Sequence, residues 1–232
     1  MTRVKATVLP IIITIDGPSG SGKGTVAKIV AERLGYSLLD SGALYRLLGL
    51  KAKRESIPLD AVRQLAALAG ELNIEFKPNA QNEGVGVKLD GDWVTDAIRT
   101  QECVEVASKV AAIPEVRKAL LDRQRQFDKG KGLVADGRDM GTVVFPSAQV
   151  KVFLTASVEE RALRRYKQLK EKGISARLPD IVAEIQIRDL RDKERSISPT
   201  LPAADAVVID STDLSINEVV DRVLNLHLTA TK

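Results

Sequence analysis

The sequence predicts an α/β fold: a five-stranded parallel sheet flanked by helices, with a small antiparallel β lobe inserted into it. Three observations predict it. Short apolar, β-branched runs alternate with segments of helical period, the rhythm of a parallel sheet covered on both faces. A glycine-rich loop separates the first such run from the first helix. Between about residues 71 and 98 the rhythm breaks into three short strands joined by turns, a meander that does not belong inside a parallel sheet.

Each element follows in order. Val8–Ile15 is a buried strand that runs into Asp16 and the glycine loop. The next helix has Val26, Ile29, Val30 and Leu34 at helical spacing and stops at Gly35. Ser37–Leu39 is a short strand, and Gly42–Arg54 and Pro58–Gly70 are helices. Leu72–Lys77, Val85–Asp90 and Trp93–Thr95 are the strands of the lobe, joined by the Pro78–Gly84 loop and the Asp90-Gly91-Asp92 turn. Gln101–Ala112 and Glu115–Phe127 are helices, with Pro114 opening the second. Strands resume at Gly132–Ala135 and Gln149–Leu154. Ser157 and Glu160 read as a capping box opening a helix to about Lys172. Leu178–Lys193 is a helix and Ala206–Ile209 the last strand. Ser215 and Glu218 form a second capping box, opening a helix with Val219, Val223 and Leu226 on one face. The expected division is a core of residues 1–70 and 132–232, with a short lid at about 168–178, and an insertion of 71–131 that carries the lobe.

Composition narrows the function classes. The chain has 232 residues, 44% hydrophobic and 28% charged, so it can bury a core without staples. One cysteine, Cys103, excludes an intramolecular disulfide framework, and with a single histidine it excludes a Cys/His zinc site. No apolar run is long enough to cross a membrane, and the N-terminal stretch lacks a cleavage signal, so a cytoplasmic protein is expected. The balance is 35 basic against 31 acidic residues. A basic excess fits a nucleic-acid partner or a phosphate-handling enzyme with arginines in its cleft. The second reading is preferred, because aromatics are only 3% and a single-strand binder needs stacking platforms. Cys103 reads as inert packing and His227, on the last helix, as a surface residue.

The glycine loop carries the chemistry. Gly17-Pro18-Ser19-Gly20-Ser21-Gly22-Lys23 fills the first seven positions of G-x-x-x-x-G-K-[ST] between a strand and a helix. Inward-pointing amides of such a loop cradle phosphates, the helix N-terminus adds partial positive charge, and Lys23 reaches the β/γ-phosphates. The sequence departs from the motif at the next position. Gly24 follows the lysine, and Thr25 takes over the hydroxyl that normally meets Mg²⁺. Asp16 either holds the metal's water shell or caps a loop. Asp136, ending an apolar strand, either holds Mg²⁺ through water or caps a loop.

Gly22-Lys23-Gly24-Thr25 is the form seen in nucleoside monophosphate kinases. Thr14–Gly20, Leu39–Arg46, Ile98–Gln101, Ala135–Pro146 and Arg188–Asp192, with the inserted lobe, make the chain closely resemble the bacterial cytidylate kinases from about Ile12 to Leu226. The resemblance implies a P-loop kinase fold and phosphoryl transfer from Mg-ATP to CMP or dCMP. It implies the small-molecule nucleotides CMP and dCMP as partners; no nucleic acid, no membrane and a monomer are expected.

Such a reaction joins two anions, and the acceptor phosphate is already ionised, so cations rather than a general base are needed. Arg46, Arg138, Arg164, Arg188 and Arg195 are the candidates, since a planar guanidinium binds phosphate bidentately. Any of them could be a solvated surface charge, so position decides. Arg138 follows a strand at the sheet's carboxyl edge, where open α/β folds bind ligands. Arg188, Asp192 and Arg195 share a helix face. By resemblance, Arg46 faces the acceptor phosphate, Arg188 and Asp192 hold the ribose and Arg195 holds phosphate. Ser108, Arg117 and Asp139 read cytosine by resemblance, with Ser41 beside them. The polar stretch around Gly173 reads as a lid that brings Arg164 onto ATP. The rival readings are another P-loop kinase, of adenylate or shikimate type, and a non-enzymatic nucleotide switch or RNA-binding module.

Overall fold

The computed structural model describes residues 10–78, 85–171 and 173–232. Its strands and helices in chain order are β1 (Ile12–Asp16), α1 (Lys23–Leu34), β2 (Ser37–Asp40), α2 (Ser41–Arg54), α3 (Val62–Glu71), β3 (Ile74–Pro78), β4 (Val85–Leu89), β5 (Asp92–Trp93), α4 (Gln101–Val110), α5 (Pro114–Arg125), β6 (Leu133–Gly137), β7 (Val150–Thr155), α6 (Val158–Glu171), α7 (Leu178–Glu194), β8 (Val207–Asp210) and α8 (Ile216–Ala230). A 3₁₀ turn (Ala97–Arg99) precedes α4, and a π turn (Met140–Val144) follows β6.

The expected five-stranded sheet is present, in the order β2-β6-β1-β7-β8. β1 runs parallel to β6 and β7, and β7 parallel to β8. Central position explains the sequence of β1. Ile13, Thr14 and Ile15 are fully buried, as a strand covered on both faces requires. Val26, Val30, Val219, Val220 and Val223, from α1 and α8, pack with β1 and β7 in one core.

β3, β4 and β5 form the separate antiparallel sheet. Its last strand is Asp92–Trp93 and ends before Thr95, which turns its hydroxyl to the Val87 amide. The inferred Pro78–Gly84 connection lies outside the described residues except at Pro78.

The chain divides into two compact units. One comprises residues up to Leu39 with Gln126–Lys232, the other Asp40–Arg125. The second unit begins earlier than the insertion read from the sequence, because α2 packs on α4 and α3 on α5. Those helices share apolar faces with the segment that carries the small sheet.

Three local readings are revised. Helix α3 starts at Val62 rather than Pro58, because residues 58–62 close tight turns first, with Ala61 N–H on the Pro58 carbonyl and Val62 N–H on that of Asp60. Only half of the Ser157 capping box forms. Glu160 N–H meets Ser157 Oγ, but the Ser157 amide donates to Thr212 Oγ1 and the Glu160 carboxylate takes Arg164. His227 is buried, not on the surface. Its Nε2 lies 3.0 Å from Tyr36 Oη, and burial pushes its pKa down. The Ser215–Glu218 box forms in full, and Cys103 is buried, its thiol donating to the Arg46 carbonyl.

Candidate phosphoryl-transfer site

The glycine loop joins β1 to α1, as the motif requires. Gly17 has φ 149°, and a Cβ there would sit 2.0 Å from the Leu154 carbonyl oxygen on β7. Only glycine permits that approach. Gly22 occupies the N-cap of α1 in the left-handed region, φ 89°, so Lys23 is the first helical residue. Lys23 Nζ donates to the Pro18 carbonyl, folded back over the loop.

Arginines hold the loop by its carbonyls. Arg161 donates to the Ser19 carbonyl and Arg164 to that of Ser21, with Ser211 Oγ also on Ser21. Arg188 adds a bond to Ser19 Oγ. A loop whose carbonyls are engaged from the protein side is suited to turn amides toward an anion. Arg164 also bonds Glu160 and the Ser211 hydroxyl and carbonyl, so in this structure it braces the loop through protein partners. α6 extends through Glu171, into the stretch read as a lid, and Gly173, at φ 70°, places its amide on the Lys170 carbonyl.

At the carboxyl edge of the sheet, Asp16 accepts amide hydrogens from Met140 and Gly141, both at 2.8 Å. Of its two readings the structure displays the cap, applied to the π turn rather than to the glycine loop. Burial pushes the Asp16 carboxyl up to about 7; the Gly141 and Met140 amides oppose this, and Asp139 and Asp136 reinforce it. The π turn is thereby tied to β1, directly after Arg138 and Asp139. Asp139 is buried at its start.

Asp192 of α7 is a hub. Buried at 5% exposure, it accepts Arg138 Nε at 3.0 Å. Burial alone would raise its pKa, but the charges of Arg138, Arg188 and Arg195 outweigh this and hold it below the usual carboxylate range. Arg195 also reaches Thr200 Oγ1. The helix-face spacing seen in the sequence therefore corresponds to a cluster of three cations on one buried anion.

For Mg²⁺, the residues fit. A Cβ on Gly24 would lie 3.1 Å from Asp136 Oδ2, so a serine or threonine at that position would crowd the acid. Glycine lets the carboxylate stand beside the start of α1 and leaves Thr25 as the hydroxyl there. A carboxylate and a hydroxyl are hard oxygen ligands, and Mg²⁺ at nucleotides uses one or two carboxylates together with phosphates and water.

The second unit carries its own constellation. Asp40 caps α2 through the Ala43 amide and holds Arg46 Nη2 at 2.7 Å. Ser41 Oγ donates to Gln124 Oε1 at 2.8 Å, both side chains buried. Arg117 is buried at 7% exposure, donates to the Ala111 carbonyl and lies over the Tyr45 ring. Ser108 is buried on α4. The sequence reading missed Arg161, Asp189, Ser211, Asp40 and Gln124. Asp40 carried a legible signal, an acid immediately before a helix. The others lack one, since their partners are distant in the chain.

A parallel sheet with this loop after its central strand, and cations gathered at the carboxyl edge, defines a P-loop phosphotransferase. The profile of the cytidylate kinase family matches residues 13–229, and the chain belongs to that family. It is 57% identical over 215 residues to a cytidylate kinase of Pasteurella multocida, covering 93% of this chain and 94% of that protein. It is 56% identical over 212 residues to one from Marinomonas sp., covering 91% and 93%. It is 55% identical over 213 residues to one from Colwellia psychrerythraea, covering 92% and 94%. Among the described residues no helix is long and apolar enough to cross a membrane.

Proposed function

We propose that the protein transfers the γ-phosphoryl group of Mg-ATP to CMP or dCMP, giving ADP and the pyrimidine diphosphate. The carrying observation is the cluster of Arg138, Arg188 and Arg195 on buried Asp192, linked by Arg188 to Ser19 of the glycine loop. Two polyanions can be brought together only where cations are already assembled, and preorganised charge is the main catalytic resource in phosphoryl transfer.

An oxygen of the acceptor phosphate attacks the γ-phosphorus. The bond to the β–γ bridging oxygen breaks, and ADP leaves with that electron pair. The attacking oxygen is ionised near neutral pH, so no side chain must take a proton. Residues Gly17 to Thr25 hold the donor phosphates, and Lys23 leaves Pro18 to follow the charge as it moves to the leaving group. Arg164 joins them by exchanging bonds to Ser21 and Ser211 for phosphate. Arg138 and Arg195 neutralise the transferring group, and Arg188 and Asp192 hold the ribose. Arg46 takes the acceptor phosphate. Thr25 and Asp136 hold Mg²⁺, in part through water; the ion supplies charge neutralisation on the phosphates when bound.

Asp139, Arg117, Ser108 and Ser41 read the base. The Asp139 carboxylate oxygens accept from cytosine N4, where uracil presents an acceptor. Arg117 donates to cytosine N3 or O2, where uracil N3 carries a hydrogen. Each mismatch leaves a polar group unpaired, at roughly 1–3 kcal/mol, so about 10²- to 10⁴-fold preference for CMP over UMP is expected. The reading makes the protein a cytoplasmic monomer acting on free nucleotides.

ADP release coupled to a reporter, with ATP constant and CMP, dCMP, UMP, AMP and shikimate as acceptors, tests this. Turnover should require CMP or dCMP, and folded Lys23→Ala should lose roughly 10²-fold or more in kcat, about 3 kcal/mol. Turnover with AMP or shikimate in place of CMP gives the site to another small-molecule kinase. Tight ATP binding without turnover on any acceptor makes the protein a nucleotide-dependent switch.

A further inference from the structure

The phosphoryl-transfer scheme gives no role to the ion pair of buried Arg161 with half-buried Asp189. Arg161, at the start of α6, is 4% exposed. Fully burying a guanidinium is costly unless its donors are matched. Here they are matched on three separate segments. Nε donates to the Ala156 carbonyl after β7, Nη1 to the Ser19 carbonyl of the glycine loop, and Nη2 to Asp189 Oδ2 of α7 at 2.6 Å.

Ser19 is thereby linked to α7 twice, once through Arg161 of α6 and once directly. Its carbonyl connects through Arg161 to Asp189. Its hydroxyl accepts directly from Arg188, the residue before Asp189. One turn further, Asp192 binds Arg138. A donor nucleotide that fixes Ser19 would therefore fix the stretch of α7 carrying Arg188 and Asp192.

We infer that Arg161 and Asp189 are a positioning pair through which occupation of the glycine loop sets the acceptor-binding face of α7, so that the two nucleotides bind cooperatively. This rests on the reading of Arg188 and Asp192 as acceptor ligands. Neither residue of the pair touches substrate. Their effect passes through Ser19 on one side and Arg188 on the other. Linkage makes the effect reciprocal: the donor tightens the acceptor by the same factor as the acceptor tightens the donor.

Calorimetric titration of the full chain tests it. The Kd for CMP is measured with and without a non-hydrolysable ATP analogue and Mg²⁺, in wild type, Asp189→Asn and Asp189→Glu, and thermal unfolding is followed in each. In wild type the analogue should tighten CMP by about fivefold or more. In Asp189→Asn that factor should fall to nearly 1, while CMP binding without the analogue changes by less than about threefold; Asp189→Glu should restore most of the factor. Arg161→Lys, which keeps the charge but loses the fork, gives the same measurement should Asp189→Asn fold poorly, and should also bring the factor nearly to 1. An undiminished factor in a destabilised variant makes the pair a structural strut and overturns the inference, as does a wild-type factor near 1. Wild type that binds neither nucleotide instead refutes the phosphoryl-transfer reading itself.

Discussion

Asp16 is the residue whose chemistry is most altered by its surroundings. Both its oxygens accept backbone amides of the π turn, yet burial holds its pKa at about 7 from an ordinary 3.8. The folded protein thus binds this proton more tightly than the unfolded chain does. The resulting stability is complete below pH about 4, declines as pH rises toward 7, and is constant above that. Three pK units correspond to roughly 4 kcal/mol. Asp136 and Asp139, the acids that reinforce the shift, remain in an Asp16→Asn variant, so the difference between variant and wild type isolates Asp16. Urea unfolding at pH 5, 6, 7 and 8 should show wild type losing ground to the variant with rising pH and levelling above about 7. A difference that is flat across that range would mean Asp16 ionises at an ordinary value and is held by its amides alone.

At the scale of elements, the glycine loop was legible because its requirements are local. A strand, a run of glycines and a lysine at a helix start are all set by neighbours in the chain. What made Gly17 indispensable was not legible, because the Leu154 carbonyl it faces is supplied by β7. Gly17→Ala must move β1 from β7 or distort the loop. Overpacking of this kind costs roughly 1–3 kcal/mol, and a backbone obstruction in a left-handed residue puts the expected loss at about 3 kcal/mol or more, with ATP binding lost. A folded Gly17→Ala protein with wild-type stability and donor affinity would show that the loop has room the geometry denies. The same distinction explains the other differences. Arg164 read as a phosphate ligand or a surface charge, yet it ties a loop carbonyl, as does Arg161 one turn before it. A sequence cannot show which carbonyl lies opposite a guanidinium. His227 looked exposed because its partner is distant in the chain: Tyr36, just after α1, meets it with its hydroxyl.

At the scale of the molecule, the alternation of strand and helix fixed the class of fold, and the break in that alternation located the antiparallel sheet. The boundary of the second unit was not legible, since α2 and α3 continue the α/β rhythm while packing on α4 and α5. The proposed donor ligands Gly17–Thr25 lie in one unit, together with the acceptor ligands Asp139, Arg188 and Asp192, and the acceptor ligands Ser41, Arg46, Ser108 and Arg117 lie in the other. Each nucleotide should therefore leave its own protection pattern in amide hydrogen exchange. A ligand bound only to the folded form stabilises it by RT ln(1 + [L]/Kd), so at a hundredfold excess over Kd, exchange through openings incompatible with binding slows about 100-fold, or 2.7 kcal/mol. A non-hydrolysable ATP analogue alone should slow exchange in the first turns of α1 and, through Ser19, in α7 around Arg188. It should leave α4 and the start of α2 nearly unchanged. Adding CMP should then slow Ser41–Arg46 and the turns around Ser108 and Arg117. Equal protection of α1 and α4 by the analogue alone would mean that the donor engages both units, and the assignment of Ser108 and Arg117 to the acceptor would have to be given up.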